Sequence, residues 1–443
     1  MRKRRRRGIS MGTVCILLLV AGTLSLTAWL FPRLSWDTSD IRVNSQAFLD
    51  TLGEAVTLPG LPGMPRTGAT AQPILGATPA PGLPLPQVTP SPTPVPTPRV
   101  VTLCAVGSIA APKNVRQSVY DEESRTYDFT PIFEEARGLL TAGDLTLCTV
   151  ETVFAGKDAG YNDFNAPDEL LSALRYAGID MLSLATERAL EQGLDGLRST
   201  VMAMESAGFM VAGAYPSAQD AENLQIFQIN DIQIAVLAYS ETLSDAGGRK
   251  TKKDDRYALP MLEEERVRTD IANARRAGAN LVIVMPHWGK KNTSKVDAKQ
   301  QDWARKLAEM GADIVLGAHP GVVQRVDWLS RGQDGAGRQD TLVAYSLGYF
   351  LSDSRDAANA GGVALRIEVE MEPMTGAVRI TQCAYAPTWV QRVSSGGKYT
   401  YTILRADDAL TIDSLDSTTR KNMDKSLKVV QRSMADGAAP AVW

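Results

Sequence analysis

The chain has 443 residues, 44% of them hydrophobic, with 47 basic against 50 acidic side chains. That length allows one large domain or two medium ones with appendages, and the even charge balance excludes the global basic field of a nucleic-acid binder. Four cysteines and two histidines leave little material for a disulfide framework or for histidine-rich metal chemistry.

The amino terminus is locally extreme. Arg2, Lys3, Arg4, Arg5, Arg6 and Arg7 form a basic block, and Gly8 to Pro32 carries no charged residue. At about 1.5 Å per residue this stretch is long enough to cross a bilayer. Residues 1–32 are therefore read as a cytoplasmic basic tip and a transmembrane signal anchor, with everything after Arg33 outside the cell. A cleaved signal peptide is the competing reading. It normally has an apolar region of about 7–15 residues, and only Leu26-Thr27-Ala28 offers a weak cleavage site.

Residues 33–99 read as a juxtamembrane segment and a linker. The span from Pro59 to Pro98 holds 13 of the 24 prolines and a single charge, Arg66. Such composition favours an extended, semi-stiff spacer. The folded region is expected over 100–390. Strands are predicted at Val100 to Val106, Leu145 to Val150, Met181 to Leu184, Phe209 to Val211, Leu281 to Met285, Asp313 to Leu316 and Val343 to Ser346. Helices are predicted at Phe129 to Leu140, Asp168 to Ala177, Gly193 to Ala207, Glu264 to Arg276 and Ala298 to Met310.

Asn230-Asp231 between two alternating runs, 224–229 and 232–237, signals a hairpin, and Gly362 to Glu372 with Val378 to Ala386 reads as a second one. Residues 391–443 read as a peripheral tail with one helix from Ser417 to Met434. Alternating strands and helices imply a layered α/β core. The sequence contains no internal repeat, P-loop, dinucleotide-binding glycine fingerprint or nucleophile elbow. Cys15 falls in the apolar segment. Cys104, Cys148 and Cys383 lie in strand-like runs and read as small buried hydrophobes, with a Cys104–Cys148 bond conceivable if their strands are neighbours.

Both histidines follow apolar runs. His287 lies in Pro286-His287-Trp288-Gly289 and His319 in Gly317-Ala318-His319-Pro320-Gly321. Carboxyl ends of strands are where open α/β sheets place ligands, and neutral imidazole is the commonest metal ligand. The alternative is a pair of strand-end histidines whose rings bond to loop carbonyls.

The order of these motifs resembles the CapA family of poly-γ-glutamate capsule synthesis proteins, from about Val101 to Ala386. The resemblance rests on the two histidine motifs, on Thr149-Val150-Glu151, Phe164-Asn165-Ala166-Pro167, Ala173 to Asp180 and Gly311 to Gly317, and on Ser346-Leu347-Gly348-Tyr349-Phe350. It implies a layered α/β sandwich of the metallophosphatase (calcineurin-like) type after an N-terminal transmembrane helix. It also implies a role in capsule or related envelope polymer biosynthesis, attachment or export.

The departures fall on the family's chemical positions. Ser108 stands for an Asp, Thr149 for an Asn, and Thr186-Glu187-Arg188 for Asn-Asn-His. Lys290 and Lys291 stand near a usual acid, Gly321 stands for a second His and Tyr349 for an Asn. Two-metal hydrolysis needs ions about 3.5–4 Å apart with shared ligands. A guanidinium at Arg188 opposes a cation there by about 4 kcal/mol at an effective dielectric of about 20.

His287, His319 and Glu151 are the candidate catalytic set, with His287 and His319 as residual metal ligands for at most one divalent ion. A dismantled, non-catalytic site in which Glu151 pairs with Arg188 is the main reading, and a single-metal hydrolase or transferase is the alternative. Candidate binding residues are Arg188, Trp288, Lys290, Lys291 and Asn165. Lys290, Lys291, Lys295 and Lys299 read either as a solvated face or as an anion-binding rim. The expected partners are the membrane, an anionic polymer of the poly-γ-glutamate kind and an envelope synthesis complex, with no nucleic acid.

Overall fold

Fully apolar segments in this chain become the centres of two sheets. The computed structural model describes residues 97–443 apart from 163, 251, 332–339, 410–414, 437–440 and 443. The expected anchor, the juxtamembrane segment, Cys15 and nearly all of the proline-rich spacer lie outside the described residues. Among the described residues no helix is long and apolar enough to cross a membrane.

The first half contributes β1 (Arg99–Val106), β2 (Leu145–Thr149), α1 (Glu169–Ala177), β3 (Met181–Ser183), α2 (Gly193–Ser206) and β4 (Met210–Ala212). The second half contributes β5 (Ile226–Ile229), β6 (Ile232–Ser240), α3 (Glu264–Arg276), β7 (Leu281–His287), α4 (Ala298–Met310), β8 (Ile314–Leu316), β9 (Val326–Leu329) and β10 (Thr341–Ala344). The chain then returns through β11 (Gly361–Met371), β12 (Val378–Ser395), β13 (Lys398–Arg405) and α5 (Ser417–Ala435).

The first sheet runs β13-β12-β11-β1-β2-β3-β4 and the second β9-β10-β8-β7-β6-β5. Strands β1 to β4 are mutually parallel, as are β6, β7, β8 and β10. In the second sheet alternate residues face opposite ways. Ile234, Val236, Ile283, Met285 and Leu316 join Leu103, Leu147 and Leu182 of the first sheet in one inner core. Their neighbours Ala235, Leu237, Val282, Val284 and Val315 pack outward with Val267 and Ile271 of α3 and Ala304 and Leu307 of α4. The architecture is thus a two-sheet α/β sandwich with helices outside.

Local sequence explains the best-defined elements. Helix α3 has Glu264 and Glu265 in its first turn and Arg275 and Arg276 in its last, matching the helix dipole. Helix α4 opens on a capping box between Asp297 and Gln300. The β5–β6 hairpin turns through Asn230 and Asp231, both at positive φ, 48° and 63°, as a two-residue primed turn requires.

One expectation is refined and one corrected. Residues 130–140 are helical as expected, but in three consecutive short segments, α-helical Thr130–Phe133 and Arg137–Leu140 with the 3-10 segment Glu134–Ala136 between them. Residues beyond 390 are integral rather than a peripheral tail. Strand β12 continues to Ser395 and pairs with β13 along its length, and α5 buries Met423, Leu427, Val430 and Met434. Cys104 and Cys148 are both buried and free, as the reading of small buried hydrophobes has it, and the conceivable bond between them is not formed although β1 and β2 are adjacent. Burial pushes the Cys104 thiol up to about 12, so it is held as an inert thiol.

Asp313 ties the far end of the second sheet together. Its carboxylate accepts from Arg275 at 2.6 Å, from Arg331 at 2.7 Å and from the Val282 amide at 2.6 Å. Removing one member of a buried ionic cluster leaves uncompensated charge. Asp313→Ala is expected to lower stability by about 3 kcal/mol, read from urea unfolding; a loss near zero would show that these contacts carry no net stability.

Candidate functional site

The parallel strands of both sheets end at one edge of the sandwich, and the loops leaving them meet there. Glu151 follows β2, its amide donating to Ile109 O at 2.9 Å. Thr186, Glu187 and Arg188 follow β3. Glu241 follows β6, His287 closes β7, His319 follows β8 and Tyr349 lies beyond β10. Tyr349 begins the short strand Tyr349–Leu351, which pairs in parallel with Ser108–Ile109. His319 sits at φ 95°, a conformation rare for a residue with a side chain.

The two imidazoles meet edge-on, with ring centroids 4.5 Å apart at 67°. Both are buried. Among the described residues, neither nitrogen of His287 nor Nδ1 of His319 has a hydrogen-bond partner. The expectation that these rings bond to loop carbonyls therefore fails for all three atoms. His287 Nε2 lies 3.7 Å from Glu151 Oε1, beyond hydrogen-bond reach. Glu151 Oε2 accepts from the Tyr349 hydroxyl at 3.3 Å.

Burial alone would raise the Glu151 carboxyl. Interaction with His287 and then with Ser108 outweighs it, and the group lies below the usual carboxylate range. The Glu151 charge, with burial behind it, pushes the Tyr349 phenol well above its usual range and keeps it a donor. Burial, and secondly His287, push the His319 imidazole down to about 4. His319 is thus neutral at physiological pH.

Arg188 does not meet Glu151. Its guanidinium pairs with Glu187 at 3.2 Å and Glu191 at 2.6 Å and lies 4.0 Å over the Phe164 ring. Carboxylates one and three residues away on its own loop capture it. Glu187 also receives Lys291 from the opposite sheet at 2.5 Å, and Glu241 pairs with Lys299 and accepts the Gly289 amide at 2.8 Å.

Two other expected binding residues are committed to the scaffold. Trp288 is buried, donates Nε1 to Tyr345 O at 2.9 Å and stacks near Tyr345. Asn165 is fully buried and closes its loop, accepting from the Ala155 amide at 2.8 Å and donating to Gly156 O and Gly160 O. Lys290 and Lys295 are exposed and make no ion pair among the described residues. Their loop is fixed from below by Gln324, which donates to Thr293 O and Lys295 O and also receives Gln300. Glu241 escaped the sequence reading, although its place just after an apolar strand is the same signal that singled out the histidines.

For a metal ion the cleft has suitable donors in an unsuitable arrangement. Two imidazoles and one carboxylate are the right donor types. Among the described residues, however, no group of three His, Cys, Asp or Glu side chains is arranged to hold an ion. Glu187 and Glu241 are already matched by lysines. The donor set does not fit a two-metal centre.

A helix-flanked α/β sandwich with a strand-end cleft of buried His and half-buried Glu and Tyr defines the class. Within it, the model of the family described as "Bacterial capsule synthesis protein PGA_cap" matches residues 102–354, and the chain belongs to that family. It is 27% identical over 191 residues to "Capsule biosynthesis protein CapA" of Bacillus anthracis, covering 43% of this chain and 44% of that protein. It is 26% identical over 196 residues to "PGA biosynthesis protein CapA" of Bacillus subtilis (strain 168), covering 43% of this chain and 48% of that protein. The matches thus span less than half the length of these relatives.

Similar solved structures include the calcineurin-like phosphoesterase YfkN from Bacillus subtilis (TM-score 0.38, 12% identity, 76% of this chain and 99% of that one). A 5'-nucleotidase precursor from Thermus thermophilus gives TM-score 0.38 and 13% identity over 76% of this chain and 59% of that one.

The His319 shift has a pH consequence. Below its ordinary value of 6.5 the unfolded chain takes up a proton at His319 that the folded chain refuses until about pH 4. Stability is expected to fall on acidification across that window, since the unfolded state binds more protons there. Glu151 adds its own loss only below its ordinary 4.5. Thermal midpoints across the window should fall for the native chain and less for His319→Asn; an equally steep fall in both would refute the assignment.

Proposed function

We propose that this protein acts in capsule or related envelope polymer biosynthesis, attachment or export as a non-catalytic binder or scaffold. Family membership supports the process. The observation that carries the non-catalytic reading is the internal pairing of the cleft: Tyr349 with Glu151, Lys291 with Glu187, and Arg188 with Glu191. Metallophosphatase chemistry clamps attacking and leaving oxygens between two ions. Here the acidic groups already hold the protein's own donors and ammonium groups.

In this reading the basic block and the apolar stretch Gly8 to Pro32 anchor the chain in the cell membrane with the amino terminus cytoplasmic. The proline-rich spacer then carries the folded domain outside. The partner is an anionic envelope polymer of the poly-γ-glutamate kind, or an envelope synthesis complex that handles it. Exposed Lys290 and Lys295, on a loop pinned by Gln324, support a contact by charge. Such contacts weaken as salt screens them.

A single-ion hydrolase at His287, His319 and Glu151 is the competing reading, favoured by their unpartnered buried atoms. One set of measurements on the full chain in detergent decides. Dialysis against trace manganese and zinc followed by elemental analysis is expected to find no stoichiometric ion, and phosphodiester or γ-glutamyl substrates are expected to stay intact. Metal-dependent turnover abolished by His287→Ala would overturn the proposal. Binding to poly-γ-glutamate is expected to drop several-fold on Lys290→Glu with Lys295→Glu and to weaken with salt; unchanged binding would rule out this rim as the contact.

A further inference from the structure

The Tyr349 ring lies where a side chain at residue 321 would have to go. A Cβ built on Gly321 would stand 2.5 Å from Tyr349 Cε2 and 3.1 Å from Cδ2. Carbon atoms at 2.5 Å overlap far inside their contact distance of about 3.5–4.0 Å, so one of the two groups must move.

The backbone at 321 is not free to withdraw. Asn359 Nδ2 donates to Gly321 O at 3.1 Å and to Asn292 Oδ1 at 3.0 Å, and the Asn292 amide donates to Pro320 O at 2.8 Å. Nor is the Tyr349 backbone. The Ser108 amide donates to Gly348 O at 3.0 Å, and Tyr349 is in register with Ser108 in the parallel pair. The ring is the part that would yield, and with it the hydroxyl that reaches Glu151. Gly321 also sits at φ 68°, which by itself favours glycine.

We infer that Gly321 and Tyr349 are one interdependent unit. The missing side chain at 321 is what lets the Tyr349 ring serve as the cleft's own occupant, and Tyr349 is the positioning residue that holds the Glu151 carboxylate. This rests on the metal-free reading of the cleft and deepens it by naming what fills the space.

The test is a double-mutant cycle on the full chain. Thermal midpoints are measured for the native chain, Gly321→Ala, Tyr349→Ala and the double variant, each with EDTA and with added manganese or zinc. The strain of a positive φ is common to both backgrounds, so it cancels in the cycle. Gly321→Ala is expected to lower the midpoint of the native chain, and to lower that of Tyr349→Ala by less than half as much. Equal losses in both backgrounds would sink the interdependence while leaving the metal-free reading intact. A rise of the native midpoint on adding metal would sink that reading itself, since an ion and not the ring would then fill the cleft. Should Gly321→Ala fail to fold, a cooperative transition in the double variant supports the coupling, and its absence refutes it.

Discussion

Glu151 leaves β2 and enters a seam between two sheets where little water reaches. A carboxylate there loses hydration and must find opposite charge or hydrogen-bond donors. The one donor it finds among the described residues is the Tyr349 hydroxyl, with the His287 ring 3.7 Å away on its other oxygen. That requirement shapes the rest of the cleft. Tyr349 must stay protonated, Gly321 must stay bare, and the positive groups nearby are committed to Glu187, Glu191 and Glu241.

The pairings also change what the edge of the sandwich does mechanically. Lys291 and Glu187 come from loops of opposite sheets, and Tyr349 reaches Glu151 from the short strand that pairs with Ser108–Ile109. The Lys291–Glu187 pair pins the two layers to each other at the open end, while Asp313 gathers Arg275 and Arg331 at the other. Exposed ion pairs contribute little by themselves. Glu187 is largely shielded, which is where such a pair has the most effect on geometry.

Much of this was legible in the sequence where one physical signal dominated. Strands β7 and β8 are unbroken apolar runs, and α3 and α4 carry charges and caps at the right ends, so their positions follow from pattern alone. Strand β13 was hidden because its Lys-Tyr-Thr-Tyr alternation reads as polar surface, while its buried face is supplied by Tyr401 and Ile403. The 129–140 segment has helical periodicity and is helical, but in three short consecutive segments with a 3-10 stretch in the middle. At the cleft the residue types were visible and their partners were not. Arg188 and Glu151 match by charge, yet Glu187 and Glu191 on the same loop as Arg188 are nearer, and loop geometry of that kind leaves no periodic trace. Trp288 and Asn165 look like ligand contacts in one dimension and are fully used by their own surroundings.

Strand β1 lies between β2, which follows it closely in the chain, and β11, which comes much later. An emerging polypeptide therefore presents β1 with one edge satisfied and the other bare until the segment beyond Gly361 arrives. Bare apolar edges invite pairing with other chains. Non-local pairing of this kind also slows folding. The half of the sheet on the other side of β1 is thus added last, and the segment from Gly361 onward acts as the clasp that makes the first strand safe.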